Sequence, residues 1–445
     1  MTKTTVALLL VHCIIMKIFA QSTDTLKHGW TNHFQLTFIA QKHAAFHSKY
    51  SGQNSLADTA EPAAKSITAT LFMGRKLWKG ASFYFNPEIS GGNGLSFTKG
   101  VAGALNGETY RVGAVAPSVF IARAYLRQIF KLGNADYEEV KDDENQIEGK
   151  VPSSRITISA GKFAVSDFFD NNTYSKDPRT QFLNWSLWAN GAWDYPANTR
   201  GYTFGLVAEF IKPNWALSIS SVAVPRIANF HLMEYNDKAH SETIEWKHKF
   251  FINKTPGAVR LTISNTNSKA PSYAEGMKAL ASNNAFLLNV IQGVVENNTY
   301  GGRKFGLGLN AEQRLTMNIG VFARVGWNDG KYVTWAFTEI DRTANFGLSF
   351  NGSLWKRPND NFGIAAGVNG ISNEHRQFLA AGGYGFIIGD GKLNYGHEGI
   401  METYYNAKIS NFWWLTADYQ LVNHPGYNKD RGPVNVLAIR GHIEF

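Results

Sequence analysis

Residues 303–328 read RKFGLGLNAEQRLTMNIGVFARVGWN, two alternating segments separated by a short connection. In each segment an apolar residue recurs at every second position, and polar residues or glycines fill most positions between. Successive side chains of a strand point to opposite faces, so this pattern predicts two antiparallel strands, each with one apolar and one polar face. The apolar positions are Phe305, Leu307, Leu309, Ala311, Ile319, Val321, Ala323, Val325 and Trp327.

Alternating segments of about ten residues recur along the whole chain, and we count about sixteen of them. They start near residues 32, 66, 81, 118, 154, 201, 214, 241, 256, 303, 317, 344, 360, 399, 412 and 434. The connections between them are alternately long and short. One connection, 133–153, breaks this order, because it stands among the short ones but is long and acidic.

An even number of strands, with short turns at one end and long loops at the other, is typical of outer-membrane barrels. We therefore predict an all-β fold, a transmembrane antiparallel up-and-down β-barrel of about sixteen strands with short periplasmic turns and long extracellular loops. Its apolar faces would meet outer-membrane lipid and its polar faces would line a lumen. The alternative is a secreted β-sandwich array or solenoid, which would also alternate but would not need the asymmetry of the connections.

Composition excludes several other classes of protein. The 445 residues include 44 Lys and Arg and 35 Asp and Glu, for a formal charge of +9. The basic residues are spread along the chain without a dense block, so we expect no nucleic-acid partner. A hydrophobic content of 44% is too low for a bundle of membrane helices and too high for a disordered chain.

The first twenty residues have the pattern of a cleaved signal peptide. Lys3 precedes the apolar run Val6–Ile15, and a small residue, Ala20, stands at the expected cut. We therefore divide the chain into a signal peptide, 1–20, and an outer-membrane barrel domain, 21–445. The only cysteine of the chain, Cys13, lies in the first part.

The polar faces predict a lumen that carries both signs of charge, with arginine in excess. Arginines that face acids across a pore create a transverse field that orders water and selects polar solutes. The simpler interpretation of each such residue is that it forms part of the wall of a water-filled barrel. On the lipid faces we place, among others, Phe120 and Tyr202. The predicted lumen-facing charges are Glu88, Arg123, Arg127, Glu209, Arg260, Arg324, Asp418 and Arg440.

The connection 166–200 reads SDFFDNNTYSKDPRTQFLNWSLWANGAWDYPANTR and is unusually aromatic for a solvent loop. A loop folded into the lumen could carry this composition. Aromatic rings pack on the C–H face of a pyranose, and carboxylates, amides and guanidinium groups bond its hydroxyls. The alternative is a hydrophobic plug that only narrows the pore. The residues that suit sugar contact are Trp185, Trp188, Trp193, Tyr195, Asp167, Asp170, Arg179, Asp194 and Arg200.

Several long motifs resemble the carbohydrate-selective porin family (OprB-type) of Gram-negative outer membranes. They include LWKGASFYFNPEISGGNGLS (77–96), IARAYLRQIF (121–130), FLNWSLWANGAWDYPANTRGYTFG (182–205) and NKDRGPVNVLAIRGHIEF (428–445). The resemblance implies a barrel through which carbohydrates diffuse passively and selectively, with an eyelet of arginines, acids and inward loops. It carries the eyelet role to Glu88, Arg123, Arg127, Asp194 and Arg200, which stand inside matching stretches. We add Trp185, Trp193 and Glu209 to this candidate set.

Other functions remain open at this stage. The arginine excess also suits a general or anion-preferring porin of the same fold. A more distant alternative is an outer-membrane hydrolase, although no Ser–His pair stands at matching positions on the lipid faces. The final strand ends on Phe445, a signal that resembles the one read by the barrel-assembly machinery.

We expect no cofactor and no metal site, since His43 and His47 have no further ligand near them in sequence. The acids Glu108 and Glu242 have no evident partner. The sequence leaves the oligomeric state open.

Overall fold

In the computed structural model, which describes residues 29–109 and 114–445, sixteen antiparallel strands form one closed barrel. The predicted fold class is therefore confirmed. The predicted signal peptide lies outside the described residues. The strands are β1 (Trp30–His43), β2 (Ala64–Lys76), β3 (Ala81–Gly92), β4 (Ser118–Lys131), β5 (Arg155–Phe163), β6 (Thr203–Ile211), β7 (Trp215–Val222), β8 (His240–Ile252), β9 (Thr255–Ser268), β10 (Gly302–Arg314), β11 (Ile319–Asn328), β12 (Arg342–Asn351), β13 (Asn361–Gly370), β14 (Glu398–Ser410), β15 (Trp413–Asn423) and β16 (Val434–Glu444).

Closure is made by the first and last strands, which pair from Gln35 opposite Glu444 to His43 opposite Val436. The backbones of Phe34 and Phe445 extend this pairing to the chain end, because each donates a hydrogen bond to the other. A closed barrel leaves no strand edge unpaired, so every strand can cross a bilayer that offers no water to the backbone.

Alternation sets the two faces of the wall. On β10 and β11 the side chains of Leu309 and Val325 are 46% and 54% exposed on the outside. Lys304, Asn310 and Arg324 are buried and point inward. Every predicted strand start lies within two residues of an observed one.

The connections follow the predicted order of long and short. Short turns occupy 77–80, 212–214, 253–254, 315–318, 352–360 and 411–412. Loops occupy 44–63, 93–109 and 114–117, 164–202, 223–239, 269–301, 329–341, 371–397 and 424–433. The exception predicted at 133–153 carries a small hairpin, Tyr137–Val140 with Gly149–Pro152.

Four helices of the described residues lie in the loops rather than in the wall. They are Trp185–Trp188, Tyr273–Ala281, Ala285–Ile291 and Asn373–Ala380. Within 29–109 and 114–445, helices are all too short or too polar to cross a bilayer.

A β-bulge reverses the predicted orientation of Phe120 on β4. The register of β3 and β4 shifts between Asn86 and Pro87, which leaves Ala122 as an extra residue. Beyond the bulge Phe120 pairs with Glu88 and therefore faces the lumen, not lipid. Proline has no N–H for the ladder, and an inserted residue reverses the alternation that a sequence pattern assumes to be continuous.

The lipid face generates a test of the barrel. We expect Leu309→Arg, near the middle of β10, to lower the free energy of unfolding by about 2–4 kcal/mol, because it buries a charge in hydrocarbon. The same change at Leu315, 51% exposed in the adjoining turn, should cost about 0–1 kcal/mol. Urea unfolding in lipid vesicles, followed by tryptophan fluorescence, measures both. An equal loss of unfolding free energy at the two positions would contradict the placement of Leu309 in the hydrocarbon core of the bilayer.

Candidate functional site

The long connection 164–202, here called the inward loop, lies inside the barrel. Every residue from 182 to 198 is buried. A sixteen-strand barrel is too wide for wall side chains to fill. The aromatic content of this loop supplies the apolar surface that packs in that space, as part of the main hydrophobic cluster.

Ion pairs fasten the inward loop to β3 and β4. Arg123 donates two hydrogen bonds to the carboxylate of Asp167, at 2.7 and 2.6 Å. Arg179 binds Glu88 and Glu108, each at 3.2 Å. The prediction that Glu108 has no partner is therefore wrong, because its partner is 71 residues away along the chain. Glu242 also has one, His240 at 3.0 Å.

The charges around Arg179 stabilise one another. Burial lowers the pKa of the Arg179 guanidinium, but the charges of Glu108 and Glu88 outweigh burial and raise it above its usual range. Burial raises the pKa of Asp177, but the charge of Arg179 and a hydrogen bond from its backbone hold it below its usual range. Arg179 and Asp177 therefore each favour the charged form of the other.

Tyr202 belongs to this network rather than to the lipid face. It precedes β6, is fully buried, and donates its hydroxyl to Glu88 at 3.1 Å. The predicted outward position of Tyr202 is wrong, because the alternation was extended past the first residue of the strand, Thr203.

Two arginines on other strands of the wall donate hydrogen bonds to loop carbonyls. Arg324 on β11 donates to the carbonyls of Ser175 and Leu187, at 2.5 and 3.2 Å. It also pairs with the carboxylate of Asp170 at 3.1 Å. Arg440 on β16 donates to the carbonyls of residues 178 and 181, at 2.9 and 2.7 Å. The arginines predicted to line the lumen therefore fix backbone that would otherwise lack partners.

Two carboxylates do the same for loop N–H groups. Glu402 on β14 accepts from the N–H groups of residues 183 and 184, at 2.5 and 2.8 Å. Asp194 accepts from the N–H groups of Trp335, Ala336 and Phe337, at 2.8, 3.0 and 2.8 Å. Asp194 thereby joins the inward loop to loop 329–341. Glu402 is absent from the predicted lumen-facing charges, although the alternation, continued along β14, places its side chain in the lumen.

The aromatic side chains of the inward loop pack on one another. Trp185 lies nearly parallel to Phe337, with ring centroids 5.2 Å apart, and to Tyr195, 5.4 Å apart. Trp193 contacts the ring of Phe169 edge-on, at 6.2 Å. Trp185 and Trp193 are 1% and 5% exposed. Their placement favours a packing role over direct contact with a solute.

Three candidate residues keep exposed surface. Arg200 donates to the hydroxyl of Ser118 at 2.8 Å, with its guanidinium 4.0 Å from the ring of Phe120. Glu209 projects from β6 into a cavity at the turn end. Arg127 donates to the carbonyl of Asn145 at 3.1 Å, which directs it toward connection 133–153 rather than toward the inward loop.

Residues of the inward loop line cavities at both ends of the barrel. The loop-end cavity has a volume of about 360 Å³, and Phe97, Thr98, Lys99, Asn229 and Gln292 are among its lining residues. The turn-end cavity has a volume of about 430 Å³ and lies along β5 to β10. The inward loop contributes to both linings, through Lys176 among others at the turn end and through Thr199 at the loop end.

The Arg179 ion pairs generate a test of how the loop is held. We expect Arg179→Met to destabilise the loop by about 3–5 kcal/mol, because it leaves Glu88 and Glu108 as unpaired buried carboxylates. Limited proteolysis in detergent should then cut within 166–200. Lys176→Met, an exposed change on the same loop, is the matched control and should leave it resistant. Equal resistance of both variants would contradict the anchoring role.

Comparison with known proteins agrees with this geometry. Residues 59–445 match the model of the family described as carbohydrate-selective porin, OprB family. A search of curated proteins found no match. A Pseudomonas putida OprB structure at high pH is similar over 94% of each chain, with 16% identity and a TM-score of 0.66. The outer-membrane channel DcaP of Acinetobacter baumannii is similar over 94% of this chain and 97% of its own, with 9% identity and a TM-score of 0.51. The structural matches concern the fold, while the family match covers most of the sequence: the chain belongs to the carbohydrate-selective porins of the OprB family.

Proposed function

We propose that neutral mono- and small oligosaccharides cross this outer-membrane porin by diffusion, entering the loop-end cavity and leaving through the turn-end cavity. The observation that carries the proposal is that both cavities have hydrogen-bonding side chains in their lining, and that residues of the firmly anchored inward loop line each of them. A narrow path with both donors and acceptors suits a solute covered in hydroxyl groups.

The loop-end cavity offers a first contact for a sugar. Phe97 is 71% exposed there, between polar neighbours. Ser96, Phe97 and Thr98 have φ values of 45°, 58° and 66°, a left-handed conformation that non-glycine residues adopt at a cost. We propose that this strained turn holds the Phe97 ring open to the C–H face of a pyranose, while Lys99 and Asn229 bond its hydroxyls.

We propose two roles for the candidate residues. Arg200 and Glu209, which keep exposed surface, contact the solute at the two ends of the path. Glu88, Arg123, Asp194, Trp185 and Trp193 determine its width indirectly, because they hold or pack the inward loop. Arg127 acts at the turn end, beside connection 133–153.

The turn-end cavity supports a modest anion preference as a second property. Its basic lining residues are Arg155, Lys176, Lys212, Lys247, Lys249 and Arg260, and its acidic lining residues are Asp167, Glu209, Glu245 and Glu312. Basic residues outnumber acidic ones, so small anions would be favoured over cations. This observation keeps the anion-preferring porin as the alternative to a sugar-selective one.

We further propose that the protein is a channel without catalytic activity, which makes the outer-membrane hydrolase the least favoured alternative. Residues 1–20 direct export and are removed. The barrel-assembly machinery reads the last strand, in which Phe445 packs beside Phe34 with ring centroids 5.3 Å apart. Outer-membrane lipid surrounds the apolar face.

The Phe97 ring generates a test of sugar entry. We expect Phe97→Ala to raise the disaccharide concentration that half-blocks the ion current by about two- to tenfold, because a ring contact contributes about 0.5–1.5 kcal/mol. Val115→Ala removes an exposed apolar side chain without a ring from the same cavity and is the matched control. Planar-bilayer currents measure the block, and liposome swelling measures passage of glucose and of a disaccharide.

Each result has a clear consequence. An unchanged block in Phe97→Ala would reject the entry contact while leaving sugar passage intact. No block and no swelling by any sugar in the parent protein, together with strong anion preference, would reject the sugar porin in favour of the alternative.

A further inference from the structure

The connection 133–153, here called the acidic hairpin, is not explained by sugar passage. It joins β4 to β5 at the end of the barrel where the other connections are short. It contains seven acidic residues and two lysines. Leu132 already donates its N–H to the carbonyl of Ser154 at 3.0 Å, so β4 and β5 could be joined by a tight turn without it. Barrel closure therefore does not require a connection as long as 133–153.

The tip of the acidic hairpin lies inside the lumen, against β1. The side chain of Gln35 donates to the carboxylate of Glu144. His33 lies 3.5 Å from the carboxylate of Asp142. Thr31 donates to the carbonyl of Asp143 at 3.5 Å. These β1 residues alternate along one strand, and their shared inward face places the tip in the barrel rather than below it.

The opposite side of the tip packs on β3 and β4. Ile147 is 7% exposed and belongs to the same hydrophobic cluster as Tyr84 and Tyr125. The guanidinium of Arg127 donates to the carbonyl of Asn145. A hairpin that hung freely in the periplasm would not bury an isoleucine in the main hydrophobic cluster of the barrel.

The tip also reaches the inward loop. The side-chain carbonyl of Gln35 accepts from Arg179 at 3.0 Å, while its amide group donates to Glu144. Burial, together with the nearby carboxylate of Asp177 on the inward loop, raises the pKa of Glu144 to about 8. Gln35 therefore links the two insertions, and together they fill the lumen along β1 to β4.

The space left open lies on the other side. The turn-end cavity is lined by residues of β5 to β10 and of the inward loop. Arg155 stands at the boundary, because it lines this cavity and also pairs with Glu138 of the hairpin stem at 2.7 Å. A further cavity of about 350 Å³ at the same end is lined by residues of β10 to β14 and of the inward loop. We propose that the acidic hairpin closes the β1–β4 side of the turn-end lumen, so that solutes leave off-axis along β5–β14, and that its charges offset the basic lining of the β5–β10 part of that exit.

Replacing the hairpin tests the steric part. A variant in which 133–153 is replaced by Asn-Gly should conduct about twofold more current in KCl, because a second exit sector opens along β1 to β4. Its preference for anions should also increase, because the basic cavity lining loses its acidic neighbour. Conductance equal to that of the parent would overturn the proposal. Potassium chloride current does not depend on sugar recognition, so this result is independent of the proposed sugar function.

Neutralising the tip separates charge from volume. The variant Asp142→Asn/Asp143→Asn should keep the parent conductance and shift the reversal potential toward anion preference, by less than the replacement does. Glu139→Gln is the matched control, since Glu139 is 84% exposed on the hairpin stem. An equal shift in the control and the tip variant would overturn the assigned role of the tip.

A thiol variant covers the case in which the replacement fails to fold. The mature sequence contains no cysteine, so Asn145→Cys adds a single thiol at the tip. Labelling it from the turn side with a bulky maleimide should lower the current, whereas the same label on Glu139→Cys should not. Efficient labelling of residue 145 with no change in current would show that the hairpin stands outside the conducting lumen and would overturn the proposal.

Discussion

Backbone hydrogen bonding in a medium without water is the constraint on which the rest of the structure depends. The pairing of β1 with β16 removes the last free strand edge and makes the wall compatible with a bilayer. The same closure places every second side chain inside. Sixteen strands enclose more space than those side chains fill, so the lumen must be occupied by water, by loops or by both.

The segments inserted into the lumen contain backbone N–H and C=O groups without backbone partners, and charged side chains form hydrogen bonds with them. Arg324 and Arg440 of the wall bind carbonyls of the inward loop, and Glu402 of the wall binds its N–H groups. Asp194, on the inward loop itself, binds N–H groups of loop 329–341. A charged side chain on a rigid strand makes a stronger hydrogen bond than a neutral one. Many of the lumen charges are thus structural, and the arginine excess by itself does not measure the selectivity of the pore.

Local alternation explains why so much of the wall could be predicted from the sequence. Face and strand position follow from neighbours two residues apart, so the strand starts were found to within two residues. The failures have non-local causes. The bulge at Ala122 depends on how β3 and β4 pair, and the partner of Glu108 comes from a distant loop. The composition of 166–200 predicted an insertion into the lumen, but it could not distinguish buried rings from rings that face the channel.

The location of the connection 133–153 is another feature that local sequence patterns could not predict. The sequence shows that this connection is longer and more acidic than the other short ones. Its location inside the lumen follows only from the contacts with Gln35 and Arg127. The two insertions then differ in kind. The inward loop is held by ion pairs and aromatic packing, so it forms a fixed constriction. The acidic hairpin is held by Ile147 and a few polar contacts around an exposed tip, so its contribution to the free energy of folding is smaller. A porin built in this way can keep its constriction constant while its exit changes through a single connection, because neither β4 nor β5 needs the hairpin to pair.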